Sequence, residues 1–163
     1  MAITTLKRHK DMMILSIIFV GLMIPNVIVY AQHSIHEIEV SQKSAAEGKV
    51  NSSTRQLSEG VFFGLIAIGY TITTIFILLK PTSVIPYYVL LIGTVTIIIV
   101  YYFRTTTGIP IPGTDLVIKE YLVDYSDVIT KIAQQIFVIP AAMMLQKVYD
   151  IKNQKGEYIT TKR

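Results

Sequence analysis

The chain has 163 residues, of which 52% are hydrophobic and only 16% are charged. Soluble domains carry about 25% charged residues, so the composition excludes an ordinary water-soluble protein and indicates an integral membrane protein. The absence of cysteine excludes disulfides, thiolate metal sites and cysteine nucleophiles. The net charge of +4 comes from Lys and Arg that flank apolar segments, a pattern typical of membrane orientation, so we do not expect a nucleic-acid partner.

Four apolar runs follow one another along the chain, each 19 to 21 residues long. About 20 helical residues are needed to cross roughly 30 Å of hydrocarbon. Because lipid cannot satisfy backbone polar groups, each run is expected to be helical. The sequence therefore predicts an all-α membrane bundle of three or four transmembrane helices within the lipid bilayer, at about residues 12–31, 61–79, 84–103 and 128–148.

The first run permits two interpretations. Basic residues before it, the Pro25-Asn26 pair within it and Ala31 at its end match a secretory signal peptide. The full length of the run fits a retained signal-anchor helix equally well. Residues 1–31 are therefore predicted to be either a signal peptide or a signal anchor.

The distribution of Lys and Arg predicts the orientation. Nine flank the runs on the side of the N-terminus and five on the opposite side, with Lys131 inside the fourth run. Because cytoplasmic loops carry the excess of positive charge, both termini are expected in the cytoplasm of a multi-pass cell-membrane protein. The resulting units are an extracytoplasmic segment 32–59, a three-helix membrane domain 60–149 with an outer loop 104–126, and a basic cytoplasmic tail 150–163.

Small residues form a stripe along one face of the second predicted helix. Such residues let two helix backbones approach closely, and the first two form a GxxxG motif. The stripe predicts a helix-packing surface, either within the chain or against another subunit. Its members are Gly60, Gly64, Ala67, Thr71 and Thr74.

The fourth predicted helix begins with a polar face made of Asp127, Lys131, Gln134 and Gln135. Asp127 and Lys131 are spaced as ion-pair partners one helical turn apart. The face fits an interfacial pair with glutamines that hydrogen-bond between helices. The alternative is a path for an ion or solute, because ionisable groups at membrane depth are often functional.

A cluster of possible metal ligands follows the first run. His33, His36 and Glu37 could share a helical face and supply nitrogen and oxygen ligands to copper or zinc. A solvated polar stretch is the alternative, because a third histidine is not close by in sequence. The chain carries no Ser/His/Asp constellation and no phosphate-binding glycine loop, so we expect a non-catalytic protein.

Three segments carry a resemblance to a known family: GVFFG at 60–64, KPTS at 80–83 and RTTTGIP at 104–110. In this order, with Asp127 opening the last helix, they resemble a family of small multi-pass membrane proteins of bacteria and archaea with an Arg-Thr-x-x-Gly-x-Pro outer loop. The resemblance covers about 90 residues and implies a topology without an activity. The family often has an acid where this chain has Gln134.

A second resemblance lies in composition and in one short junction sequence. The Val-Tyr-Ala-Gln junction at 29–32 and helices rich in Ile, Tyr and Lys look like accessory subunits of the archaeal ammonia monooxygenase. That resemblance implies a structural subunit beside a copper enzyme whose ligands lie on other chains. The leading prediction is thus a non-catalytic subunit of a larger membrane complex with other membrane proteins as partners. The alternative is a small transporter or ion-conducting protein that uses the polar face of the last helix.

Overall fold

A computed structural model describes residues 2–119, 138–151 and 153 of the chain. Three of its helices are long and apolar enough to cross a membrane, which confirms the predicted all-α membrane architecture. The described residues form four helices and one two-stranded antiparallel sheet: α1 (Ala2–Ala46), α2 (Val50–Leu79), α3 (Ile85–Thr106), β1 (Ile109–Pro110), β2 (Val117–Ile118) and α4 (residues 138–151).

The first two helices extend far beyond their apolar runs. α1 has 45 residues and continues through Pro25 without interruption, and α2 begins at Val50, eleven residues before its apolar run. Residues 32–59 are therefore helical except for a turn at 47–49, where Gly48 adopts a φ of +75°. Hydropathy identifies only the part of a helix that is apolar enough to lie in lipid. The helical backbone hydrogen bonds continue beyond that part into polar sequence.

α1 and α2 pack against each other as an antiparallel pair. The buried residues of α1 recur at alternating intervals of four and three, as in the seam of a coiled coil. On α2 the buried positions include Gly60, Ala67, Tyr70 and Ile77. The buried residues in the membrane part of α1 that follow this spacing are Met12, Ser16, Phe19, Met23, Asn26 and Tyr30.

Two glycines allow the closest approach of this pair. A Cβ atom built on Gly60 would lie 2.8 Å from Ile38 Cγ1 and 3.1 Å from the Ser34 carbonyl oxygen. One built on Gly64 would lie 2.9 Å from Ser34 Oγ. The Ser34 hydroxyl donates a 2.7 Å hydrogen bond to the Gly60 carbonyl. Close backbone packing and a direct hydrogen bond thus hold the two helices together. This combination is expected in lipid, where the hydrophobic effect does not drive helix association.

Beyond the apolar runs, α1 and α2 continue as a polar helical hairpin, which we call the stalk (residues 32–46 and 50–59). Serines replace aliphatic residues at its buried seam. Ser41 donates to the Ser53 carbonyl at 2.8 Å, and Ser44 donates to Gln56 Oε1 at 2.8 Å. Because these hydroxyls bond across the interface, the buried polar atoms are satisfied and the two arms stay in register.

α3 is linked to α2 through a buried pair of hydroxyl groups, and α4 is linked to α3 through an exposed pair. Tyr70 of α2 lies 3.0 Å from Thr94 Oγ1 of α3. Near the α2–α3 turn, the Tyr87 hydroxyl donates to the Pro81 carbonyl at 3.1 Å, and Tyr88 lies 2.9 Å from the hydroxyl of Tyr149 on α4. The turn and the described part of α4 therefore lie at one end of the bundle, opposite the stalk.

Gly60→Ala is expected to lower the free energy of unfolding by about 1–3 kcal/mol, the usual effect of overpacking. The added methyl would press on a backbone carbonyl of α1. Gly69→Ala is the matched control, because a Cβ there meets nothing within 4 Å and alanine is favoured over glycine in helices by up to about 1 kcal/mol. Unfolding in mixed detergent micelles, followed by circular dichroism, measures both. Equal effects of the two substitutions would contradict the packing role of Gly60.

Candidate functional site

An ion pair joins α2 to α3 at the stalk end of the apolar spans. Arg104 Nη2 donates to Glu59 Oε2 at 2.6 Å, and the two side chains are only 17% and 11% exposed. Arg55, one turn before Glu59 on α2, brings its Nε to 3.9 Å from the other carboxylate oxygen. Two guanidinium groups therefore surround one largely buried carboxylate. A short charge-assisted bond in such a place is much stronger than one in water.

Aromatic rings extend this ion pair across to α1. The guanidinium carbon of Arg104 lies 5.5 Å from the centre of the Phe63 ring, within the range of a cation–π contact. The centre of the same ring lies 6.0 Å from the ring centre of Tyr30 and 5.5 Å from that of His33, both on α1. Phe63 thus connects the charged pair to the first helix, so that three helices meet at one point.

The end of α3 and the small sheet line the same cavity as the ion pair. The backbone N–H of Gly108 donates to the Phe103 carbonyl at 2.7 Å, and Gly108 has a φ of +85°, a conformation that side chains disfavour. A Cβ at this position would collide with Val117 Cγ1. The turn places β1 and β2 side by side, with Ile109 paired to Ile118. Gly108 is therefore required both for the turn and for the contact with β2.

A cavity of about 460 Å³ lies beside the ion pair. The described residues of its walls are almost entirely apolar, and Glu59 and Arg104 are the charged residues among those described. Ligand cavities in proteins are typically about 300–1,000 Å³, mostly apolar and supplied with a few polar groups, and this one fits that description. The other lining residues include Tyr30, Phe62, Phe63, Ile66, Ile97 and Tyr101, together with residues 108–112.

A second cavity of about 350 Å³ adjoins the first between α2 and α3. Four residues line both cavities: Phe62, Ile66, Ile97 and Val100. We call the two cavities together the α2–α3 groove. The second cavity extends towards the middle of the two helices, where Gly69 and Gly93 line it.

Most of the small-residue stripe predicted from the sequence lies at the α1–α2 interface. Gly60 and Gly64 touch α1, Ala67 is buried, and Thr74 Oγ1 lies 3.5 Å from the Met23 sulfur. Thr71 is exposed, and its hydroxyl donates to the backbone carbonyl of Ala67 within its own helix at 2.8 Å.

The proposed metal ligands are not gathered into a site. His33 packs on Phe63, whereas His36 is exposed and Glu37 partly so. Among residues 2–119, 138–151 and 153, the structure has no group of three or more His, Cys, Asp or Glu side chains close enough to hold a metal ion. The predicted polar face (Asp127, Lys131, Gln134 and Gln135) lies outside the described residues.

The sequence motif RTTTGIP marked the segment around Arg104, whereas Glu59 was not among the predicted site residues. Glu59 comes just before one apolar run and Arg104 just after the next, on consecutive antiparallel helices. Opposite charges at the same membrane boundary of such a helix pair are neighbours in space. Their positions at the ends of the two apolar runs could therefore have predicted the Glu59–Arg104 ion pair from the sequence.

Comparison with known proteins adds no assignment, because the chain matches no protein-family model, no curated protein and no solved structure.

A double-mutant cycle on the ion pair is expected to show strong coupling. Glu59→Gln and Arg104→Gln each leave a charge without its principal partner in a largely buried place, whereas the double substitution removes both charges. We expect the double variant to be more stable than the sum of the single effects by about 1–3 kcal/mol. Unfolding in mixed micelles measures this coupling.

The exposed pair of Glu47 and Lys49 at the stalk tip provides the control. Its side chains are 59% and 65% exposed around a 2.7 Å contact. Solvent screens such a pair, so the same cycle there is expected to give less than about 1 kcal/mol. Similar coupling at both places would show that burial does not strengthen the Glu59–Arg104 pair.

Proposed function

We propose that this protein is a non-catalytic membrane subunit that packs into a larger membrane complex. The stalk is the observation that carries the proposal. Fifteen residues of α1 lie beyond its apolar run, a length of about 22 Å at about 1.5 Å per residue. Its seam is held by interhelical hydrogen bonds, so it is a preformed element that needs no ordering on contact with a partner.

The exterior of the stalk supports the same role. Ile35 is 59% exposed and Leu57 48% exposed, although both lie outside the apolar runs. Exposed apolar side chains on a mostly polar projection are typical of a protein contact surface. In the narrower form of the proposal, suggested only by resemblance, the complex is a copper-dependent membrane monooxygenase such as the archaeal ammonia monooxygenase. The copper ligands would then lie on other chains.

The proposal includes an orientation. The α2–α3 turn with Lys80 lies at the same end as α4, which carries Lys147. Because Lys and Arg are more numerous on this side of the spans, we propose that this end and the C-terminus face the cytoplasm. The stalk would then project from the outer surface of the cell membrane.

Purification from native membranes in mild detergent is expected to recover this protein with larger membrane proteins in fixed stoichiometry. Ile35→Glu is expected to reduce the co-migrating proteins at least several-fold, because it places a charge in the apolar contact. Quantitative mass spectrometry of the native complex measures the ratio. A lone monomer or homo-oligomer would contradict the subunit role and favour the transport alternative.

Gln42→Glu is the matched control for this experiment. Gln42 is exposed and lies seven residues after Ile35 on the same helical face, so it receives the same charge without loss of an apolar group. It is expected to leave the complex intact. Loss of partners with both variants would attribute the effect to charge alone.

We also propose that α1 is a retained signal anchor. Met12, Phe19, Met23 and Tyr30 belong to the same buried core as residues of α2 and α3, so cleavage after Ala31 would remove one wall of the bundle. The intact mass of the purified protein is expected to include residues 2–31. A mature protein that begins at residue 32 would refute this proposal.

A further inference from the structure

Glycines open the α2–α3 groove instead of bringing the two helices together. A Cβ atom on Gly69 or Gly93 would meet nothing within 4 Å, and both residues line the second cavity. Gly60 and Gly64 behave oppositely, because a Cβ on either would collide with α1. Glycine therefore allows close contact at the α1–α2 interface and leaves space at the α2–α3 interface. An apolar space of this kind within a membrane-spanning bundle is accessible to hydrocarbon.

The groove is long enough to hold a hydrocarbon chain through the depth of one leaflet. Its charged residue on α3 is Arg104, and its lining continues to Val89, fifteen residues earlier, which corresponds to about 22 Å at about 1.5 Å per residue. Half of the hydrocarbon thickness of a bilayer is about 15 Å. A lipid chain that starts at the membrane boundary would therefore lie along the groove over its whole leaflet.

The charge at the mouth of the groove favours an anionic group. Arg104 and Arg55 both contact the carboxylate of Glu59, so two guanidinium groups and one carboxylate lie together among the described residues. Arg55 remains 45% exposed. Guanidinium groups bind phosphate oxygens through pairs of N–H donors, and basic pockets between transmembrane helices bind the headgroups of anionic lipids.

We propose that the α2–α3 groove binds one anionic phospholipid, with its phosphate at Arg55 and Arg104 and one hydrocarbon chain along Gly69 and Gly93. The aromatic ring of Phe62, which lines both cavities, packs against the chain near the headgroup. Arg55 belongs to the stalk, but Ile35 and Leu57, the exposed apolar residues that support the subunit role, do not line the groove. The proposal therefore does not depend on the role as a subunit.

The absence of tryptophan from the chain allows a direct test with one introduced fluorophore. Phe62→Trp places it in the groove, and Ile17→Trp places a reference on the exposed surface of α1. The full-length protein is reconstituted into vesicles that contain brominated phosphatidylglycerol or brominated phosphatidylcholine, whose bromine atoms quench tryptophan. At Phe62→Trp we expect phosphatidylglycerol to be preferred by about fivefold for each arginine engaged. At Ile17→Trp we expect no preference.

Two further substitutions in the Phe62→Trp background separate headgroup from chain binding. Arg55→Gln is expected to reduce the preference for phosphatidylglycerol at least severalfold and to leave the fold intact, because the Arg55 side chain is 45% exposed. Gly93→Leu is expected to fill the groove and abolish the selective quenching, while the helix gains from the replacement of glycine. Gly21→Leu, at a helical glycine of α1 with equally open space, is the matched control and is expected to change nothing.

Three results would overturn the proposal. The first is equal quenching of Phe62→Trp by the two brominated lipids. The second is selective quenching that persists in Gly93→Leu. The third is relief of quenching by an isoprenoid quinone at a lower mole fraction than unbrominated phosphatidylglycerol, because the groove would then accommodate a neutral headgroup. The co-purification experiment does not depend on any of these results.

Discussion

The close approach of α1 and α2 is the constraint on which the other contacts depend. Within lipid, apolar side chains gain nothing by leaving hydrocarbon, so helices associate through van der Waals contact and hydrogen bonds. Gly60 and Gly64 permit that contact, and the bond from Ser34 to the Gly60 carbonyl fixes its register. Beyond the apolar runs the serine seam of the stalk continues the same register. α3 and α4 then attach to a pair of helices whose relative position is already set.

The ion pair at the stalk end of the spans adds an electrostatic contact between α2 and α3 to this packing. Glu59 and Arg104 join α2 to α3 at one end, and Tyr70 and Thr94 join them nearer the middle. Beside these contacts the two helices leave a groove, because Gly69 and Gly93 supply no side chains to fill the space. The groove is therefore a product of the same contacts that hold the helices together. Its charged mouth and apolar interior follow directly from where the apolar runs end.

The sequence predicted the membrane class and the approximate positions of the first three spans, because length and hydropathy respond to bilayer thickness. The fourth predicted span, 128–148, lies partly outside the described residues. The sequence also indicated the segment around Arg104. It did not reveal the stalk, because residues 32–59 are polar and their helicity depends on hydrogen bonds between the two arms. The partner of Arg104 was missed because Glu59 lies 45 residues away. For His33, spacing alone suggested a metal ligand, whereas the tertiary structure places the ring against Phe63.

The continuity of α1 also has a mechanical consequence. A single helix of 45 residues is about 68 Å long, more than twice the hydrocarbon thickness. Transmembrane helices change their tilt when bilayer thickness changes. Because the stalk continues the membrane segment of α1 without a hinge loop, a 10° change of tilt, a rough illustrative value, would move the stalk tip sideways by roughly 4 Å relative to its base. A change in bilayer thickness would thus be expected to displace the stalk tip at a distance from the membrane.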